Sequence, residues 1–234
     1  MKMLLIRNNR LRRILGILIP FVIIPAIVIA FSFGPGRKHY ALSSLLITLA
    51  AIVVFSCGFE RRKTGTRRLI IVAVMTALSV IGRFIFTAIP AFKPITAIVV
   101  ITAVYLGGEA GFLTGALSAL ISNFYFGQGP WTPFQMLSWG MIGLIAGLLC
   151  TPMKKSRIVL SLYGIFAGCV YSFIMDIWSV VWYNGAFNMT LYTAALATAL
   201  PHTIMYAVSN VVFLNLIARP FGEKLSRIKI KYGC

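Results

Sequence analysis

Three ionisable side chains lie inside long apolar runs of this chain: Arg83, Asp176 and His202. A charge placed in hydrocarbon is costly, so such residues pair, face a water-filled cavity or serve a function. A guanidinium offers five donors, a carboxylate offers only acceptors, and a neutral imidazole offers one of each. With the amides of Asn123, Gln128, Gln135 and Asn184 they could fix the orientation of a small polar molecule. Tyr125, Trp131 and Trp178 would supply flat apolar contact. Two readings stand side by side. In one, Arg83 and Asp176 only neutralise each other, with His202 satisfied by a backbone carbonyl; in the other, the three line a ligand pocket. The readings are compatible, since an ion pair can brace a pocket. Such a pocket suits a flat, partly polar heterocycle better than an ion or a long lipid.

Catalytic chemistry has little to work with. The chain has only four acidic residues, Glu60, Glu109, Asp176 and Glu223, which argues against a carboxylate-pair mechanism. It has no HExxH, no GxSxG and no GxxxxGK[ST], so no zinc protease, hydrolase or ATPase signature is present. Cys57, Cys150, Cys169 and Cys234 are scattered, with no CxxC pair to suggest a metal or a disulfide. Binding without chemistry, with no cofactor and no metal, is the expectation.

The segment Asn123 to Gly140, NFYFGQGPWTPFQMLSWG, is the sharpest local feature. Proline removes a backbone donor and glycine frees the backbone. Irregular backbone in a membrane survives only at the surface, inside protein, or along a cavity. The segment therefore reads as a mouth or a lid. Trp178, Trp182, Tyr183, Asn184 and Asn188 form a second cluster, some of which an interfacial aromatic belt would explain.

The elements that must position these residues are apolar helices. Of 234 residues 59% are hydrophobic, and the mean hydropathy is +0.92. A soluble domain is nearer 45–50% apolar. The expected fold is an all-α membrane protein with eight spans, near 14–33, 40–59, 69–89, 94–107, 109–126, 133–150, 158–183 and 191–218. The fourth is short enough to be tilted, half-buried or broken. A net charge of +18 would suggest nucleic acid in a soluble protein, but here the cations cluster between apolar runs. With both termini cytoplasmic, 18 of the 22 Lys and Arg fall on the inner side. Arg37, Lys38 and Lys93 fall outside, and Arg83 lies within a span. That pattern predicts a multi-pass protein of the cell membrane, bound to lipid and not to nucleic acid. It places the loops near 90–93, 127–132 and 184–190 on the outer face, with Arg83, Asp176 and His202 in the outer half beneath them.

The chain divides at its basic linker ERRKTGTRR. Residues 1–65 read as a two-helix membrane appendage, and residues 66–234 as a six-helix working unit. Ala73 and Ala77 form a small-xxx-small pattern, as do Gly111 and Gly115, and Gly143 and Gly147. Such faces let helices approach closely in lipid, and within one chain they usually mark internal packing. No internal repeat links the halves, unlike many secondary transporters.

Residues 66–218 resemble the substrate-binding S-components of energy-coupling factor (ECF) vitamin transporters. The likeness rests on six spans with cytoplasmic ends, on an AxxxA first helix (Ala73-Val-Met-Thr-Ala77) and on SNFYFGQGPWTPFQMLSWGMIGLIAGLL over 122–149. The resemblance implies a six-helix S-component-like bundle, preceded here by two extra transmembrane helices. It implies capture of a vitamin-like substrate at the outer face and delivery inward with a membrane T-component and two cytoplasmic ATPases. It assigns Ala73 and Ala77 to docking on the T-component, and the first outer loop, Ala88 to Pro94, to a lid. Cobalamin or a corrinoid fragment is the first substrate considered, from a loose likeness of GPWTPFQ. A stand-alone permease or exporter is the alternative.

Overall fold

The computed structural model describes residues 9–32, 39–59 and 65–232, and no strand occurs among them. Glu60 to Thr64 of the linker, Arg37 and Lys38, and the extreme termini lie outside the described residues. The helices are α1 (Asn9–Leu18), α2 (Ile24–Ser32), α3 (Tyr40–Phe59), α4 (Gly65–Ile85), α5 (Ile95–Leu106), α6 (Gly108–Phe126), α7 (Trp131–Leu148), α8 (Cys150–Lys155), α9 (Arg157–Asn184) and α10 (Met189–Tyr232). Ile14–Ser32, Arg67–Ile85, Arg157–Asn184 and Met189–Ile228 are long and apolar enough to cross a membrane.

A π-helical stretch, Ile19–Ile23, joins α1 to α2 and makes one bent rod. Pro25 has no N–H to give to the fourth carbonyl before it, and the Ile24 N–H bonds to Ile19 O instead. The bent rod and α3 lie against the bundle. Ile24, Val28, Ile47, Ala51 and Val54 are buried in the same apolar cluster as Ala110, Phe112 and Phe134 of α6 and α7. The helical segments 14–32 and 40–54 are therefore packed onto the later helices over a shared core.

Helix α5 explains the short fourth span. It is continuous, and eleven of its 12 residues are buried. A helix that is apolar all round belongs inside protein. At about 1.5 Å per residue it is roughly 18 Å long, well short of the ~30 Å hydrocarbon core. Its shortness costs nothing in lipid contact, because neighbouring helices surround it. Gly107, with φ of 107°, ends it and starts α6 in a backbone conformation that disfavours other residues. Arg68 of α4 reaches this turn, donating from Nη2 to Leu106 O at 2.6 Å, with Glu109 Oε2 at 3.9 Å.

The glycine patterns of α6 and α7 pack against each other. A Cβ built on Gly111 would lie 3.0 Å from Gly143 O, and one on Gly143 would lie 2.5 Å from the carbonyl carbon of Gly111. Gly115 meets the Trp139 backbone, and Gly147 meets Gly108. Helices α9 and α10 meet in the same way, with a Cβ on Gly168 falling 2.7 Å from Ala207 N. Polar side chains reinforce this contact: Asn210 Nδ2 donates to Gly164 O at 3.1 Å, and Asn215 Nδ2 donates to Ser161 Oγ at 2.8 Å.

The loop between α4 and α5 is folded onto α10. The Lys93 N–H donates to Ser209 Oγ at 2.9 Å, and that hydroxyl donates to Lys93 O at 3.1 Å. Phe86, Phe92 and Phe213 stack edge to face or tilted, with centroids 5.0–6.0 Å apart. Thr87 to Pro90, by contrast, stay exposed.

Candidate functional site

Close packing of α6 on α7, driven by their glycines, brings Asn123 to within reach of Thr132 and Gln135. Asn123 Nδ2 donates to Thr132 Oγ1 and to Gln135 Oε1, each at 2.9 Å. Its Oδ1 accepts from Arg83 Nη1 at 2.9 Å, and the same nitrogen donates to Ser122 Oγ at 2.5 Å. Gln135 Nε2 donates onward to the Tyr171 hydroxyl at 3.3 Å. At the turn, Thr132 Oγ1 donates to Gln128 Oε1 at 3.0 Å, and Gln128 Nε2 donates to Leu120 O at 2.9 Å. One polar chain thus runs from α4 through α6 and α7 to α9.

Aromatic rings close over this chain. The Arg83 guanidinium carbon lies 4.6 Å from the Phe126 ring centre and 5.4 Å from that of Trp139. Cation–π contact of this kind is worth ~0.5–2 kcal/mol, more where water is excluded. Trp139 stacks on Tyr171 at 4.9 Å with 14° between planes, and Tyr206 meets Tyr171 edge-on at 4.9 Å. Lys93 Nζ also lies 5.5 Å from the Phe126 ring centre. Burial, and then the charge of Arg83, hold its ammonium below the ordinary lysine value.

The Arg83–Asp176 ion pair, one of the two readings of the sequence, does not form. The ion pairs given by the described residues are Arg68–Glu109 and Arg219–Glu223. Arg83 is committed to α6, where Ser122 and Asn123 take its donors. Asp176 is buried on α9 beside Ser172, and its Oδ2 has no partner. Ser172 and Thr203 share a hydrogen bond at 2.6 Å next to it. Trp178 Nε1 is a second buried, unpartnered polar atom at this level. Trp178 meets Trp131 edge-on at 5.9 Å and stacks on Trp182 at 6.4 Å.

Three of the expected site residues stand apart from this cluster. His202 is exposed, because Thr203 is the residue that α10 turns toward α9, and one residue along a helix is a 100° rotation. Tyr125 is 75% exposed and packs on Phe84 and Phe126 from outside. Asn184 is exposed and donates from Nδ2 to Ala186 O at 3.1 Å, shaping the turn at Gly185. In their place the structure adds Ser122, Thr132, Trp139, Tyr171, Tyr206 and Lys93. A signal existed for Tyr171: a phenol in mid-run, five residues before Asp176, needs a partner when buried.

Ala73 and Ala77 do not pack internally. Both are exposed on α4, in a row with Ile70, Val74 and Ile81, while Val72, Met75, Thr76 and Ser79 face the bundle.

Residues 63–227 match the family described as "ECF-type riboflavin transporter, S component". The chain is also similar to a UPF0397 protein of Vibrio atlanticus, 26% identical over 174 residues, covering 66% of this chain and 92% of that one. A UPF0397 protein of Aliivibrio salmonicida is 25% identical, over 65% of this chain and 86% of its own. One from Clostridium perfringens is 24% identical, over 74% and 96% respectively. No solved structure matches the chain.

Proposed function

Because the chain belongs to the family of ECF-type riboflavin transporter S components, and so is a substrate-binding transporter subunit, we propose that it captures a flat, vitamin-like molecule at the outer face. The pocket would be walled by the Asn123–Gln135 segment and by the outer halves of α9 and α10. Delivery inward would use a T-component and two cytoplasmic ATPases, with ATP hydrolysis left to those partners. The chain would pass the membrane several times with both termini inside, as its cation distribution indicates. The start of the family match at residue 63 supports treating residues 1–65 as an added unit.

The observation that carries this reading is Asp176, a buried carboxylate whose Oδ2 lacks a donor. Buried polar atoms are nearly always partnered, so a bare acceptor at this level invites a donor from a ligand. The Arg83–Asn123–Gln135–Tyr171 chain would act as a rigid floor. A ring system with an N–H or O–H at its edge fits both features. The family description favours a riboflavin-type ring over the corrinoid first considered.

The test is substrate binding by the isolated, detergent-purified protein, after the retained small molecule has been identified by mass spectrometry. Asp176→Asn should weaken affinity by about tenfold or more, since a hydrogen bond to a charged group contributes ~1.5–3 kcal/mol. His202→Ala should leave it unchanged. Equal affinity in wild type and Asp176→Asn would remove the carboxylate from the pocket. Uptake into liposomes by this chain alone, without ATP, would instead make it a permease.

A further inference from the structure

A cavity of about 360 Å³ lies at the end of the bundle away from the Asn123–Gln135 segment. Lys154 and Lys155 of α8, Arg157 of α9 and Arg219 of α10 line it, with Tyr105 of α5 and the single carboxylate of Glu223. Arg219 is partly neutralised by Glu223 at 3.1 Å, and Lys154 Nζ sits 4.8 Å from the Tyr105 ring centre. Lys155 and Arg157 are exposed and form no ion pair among the described residues. The first turn of the 28-residue α9 opens at the same place; Ser156 Oγ caps its Val159 N–H at 3.4 Å, and the helix dipole favours an anion there. A basic loop that only obeyed the charge rule of membrane topology would need no cavity. Here cations from three helices, far apart in sequence, converge on one.

We infer that this cavity binds a phosphate-bearing anion, and that an anionic lipid headgroup is its source at the membrane surface. A phosphate would bridge Lys154 and Lys155 of α8 to Arg157 of α9 and Arg219 of α10, and so tie the α8 turn to both helices. This site is separate from the substrate pocket and does not depend on which substrate is carried.

The test uses the full chain in detergent, without substrate or partner. Binding of short-chain phosphatidylglycerol, short-chain phosphatidylcholine and glycerol phosphate is measured by native mass spectrometry. Phosphatidylglycerol should bind at least tenfold more tightly than phosphatidylcholine, and should protect Cys150–Leu160 in deuterium exchange. Each cation near an anionic surface contributes about fivefold, so Lys154→Gln with Lys155→Gln should weaken binding by roughly thirtyfold. The equal charge change Lys224→Gln with Arg227→Gln, outside the cavity, should cost less than threefold. Glycerol phosphate binding as tightly as phosphatidylglycerol would keep the phosphate site but make its source soluble. Equal binding of the two lipids, or equal loss in the two double variants, would overturn the inference. Should the Lys154/Lys155 variant fail to fold, the lipid comparison and the exchange protection on the unaltered protein still decide it.

Discussion

Asn123 accepts from Arg83 and donates to both Thr132 and Gln135, so a single amide satisfies three helices. Asn123→Ala would strand part of a buried guanidinium and an amide oxygen. The expected loss is about 2–4 kcal/mol, read as a lower thermal unfolding midpoint in detergent. An unchanged midpoint would mean that water replaces the amide. Lys93 carries a pH dependence of the opposite kind to an ion-paired lysine. Its folded pKa lies below the ordinary value of 10.5, because burial and Arg83 penalise the charged form. Stability should therefore rise as pH climbs through the folded pKa toward 10.5. In Lys93→Met that increment should vanish from the pH profile of unfolding. The importance of Asn123, Gln128 and Gln135 was legible in the sequence, because amides beside glycine and proline in an apolar chain have few structural uses. The partner of Arg83 was not, because a charged side chain seen in one dimension suggests the only available opposite charge. In three dimensions the nearer helix was α6, and neutral oxygens sufficed.

At the scale of the helices, the glycine spacings forecast where backbones touch. Gly111→Val should cost about 2–3 kcal/mol or more, since its Cβ would press on Ala103 and on Gly143 O. Gly16→Ala, where nothing lies within 4 Å, should stabilise α1 by up to about 1 kcal/mol. Parallel melts of the two variants check both, and similar shifts would deny that α6 and α7 are locked by close approach. The hydropathy pattern located most helix ends to within a few residues, since apolar runs and their polar breaks are local properties, but α10 runs on to Tyr232, well past the expected end at 218. The third span ended early, at Ile85 rather than residue 89. Phe86 is apolar enough to read as helix, but Phe213 on a distant segment captures it into the loop beside Phe92. The lid expected over Ala88 to Pro94 is thus anchored at its Phe92–Lys93 end and open at Thr87 to Pro90.

For the whole molecule, the question is which surface meets a partner. The glycine pairs are consumed inside the bundle, whereas Ala73 and Ala77 lie on an exposed face of α4. Ala73→Leu or Ala77→Leu should therefore leave substrate affinity and the melting point within error of wild type. Each should reduce partner-dependent uptake by tenfold or more when the T-component and ATPases are co-expressed. Loss of binding rather than of uptake would assign these alanines to internal packing after all. The N-terminal helices and α3 pack against α6 and α7, and Ala73 and Ala77 stay exposed.

The apolar, all-helical class of the chain and the break between α6 and α7 at Gly127 to Pro130 follow from composition and period alone. Each depends on the free energy of placing one residue, or one short run, in lipid or water, and that is additive along the chain. Which of the identical small-xxx-small motifs is buried, which residue partners Arg83, and whether His202 faces inward depend on how helices rotate about their axes. A rotation of one residue, 100°, exchanges His202 for Thr203 and costs little in local terms. It is decided only by the summed contacts of neighbours far away in sequence, such as Gly168 against Ala207 and Asn210 against Gly164.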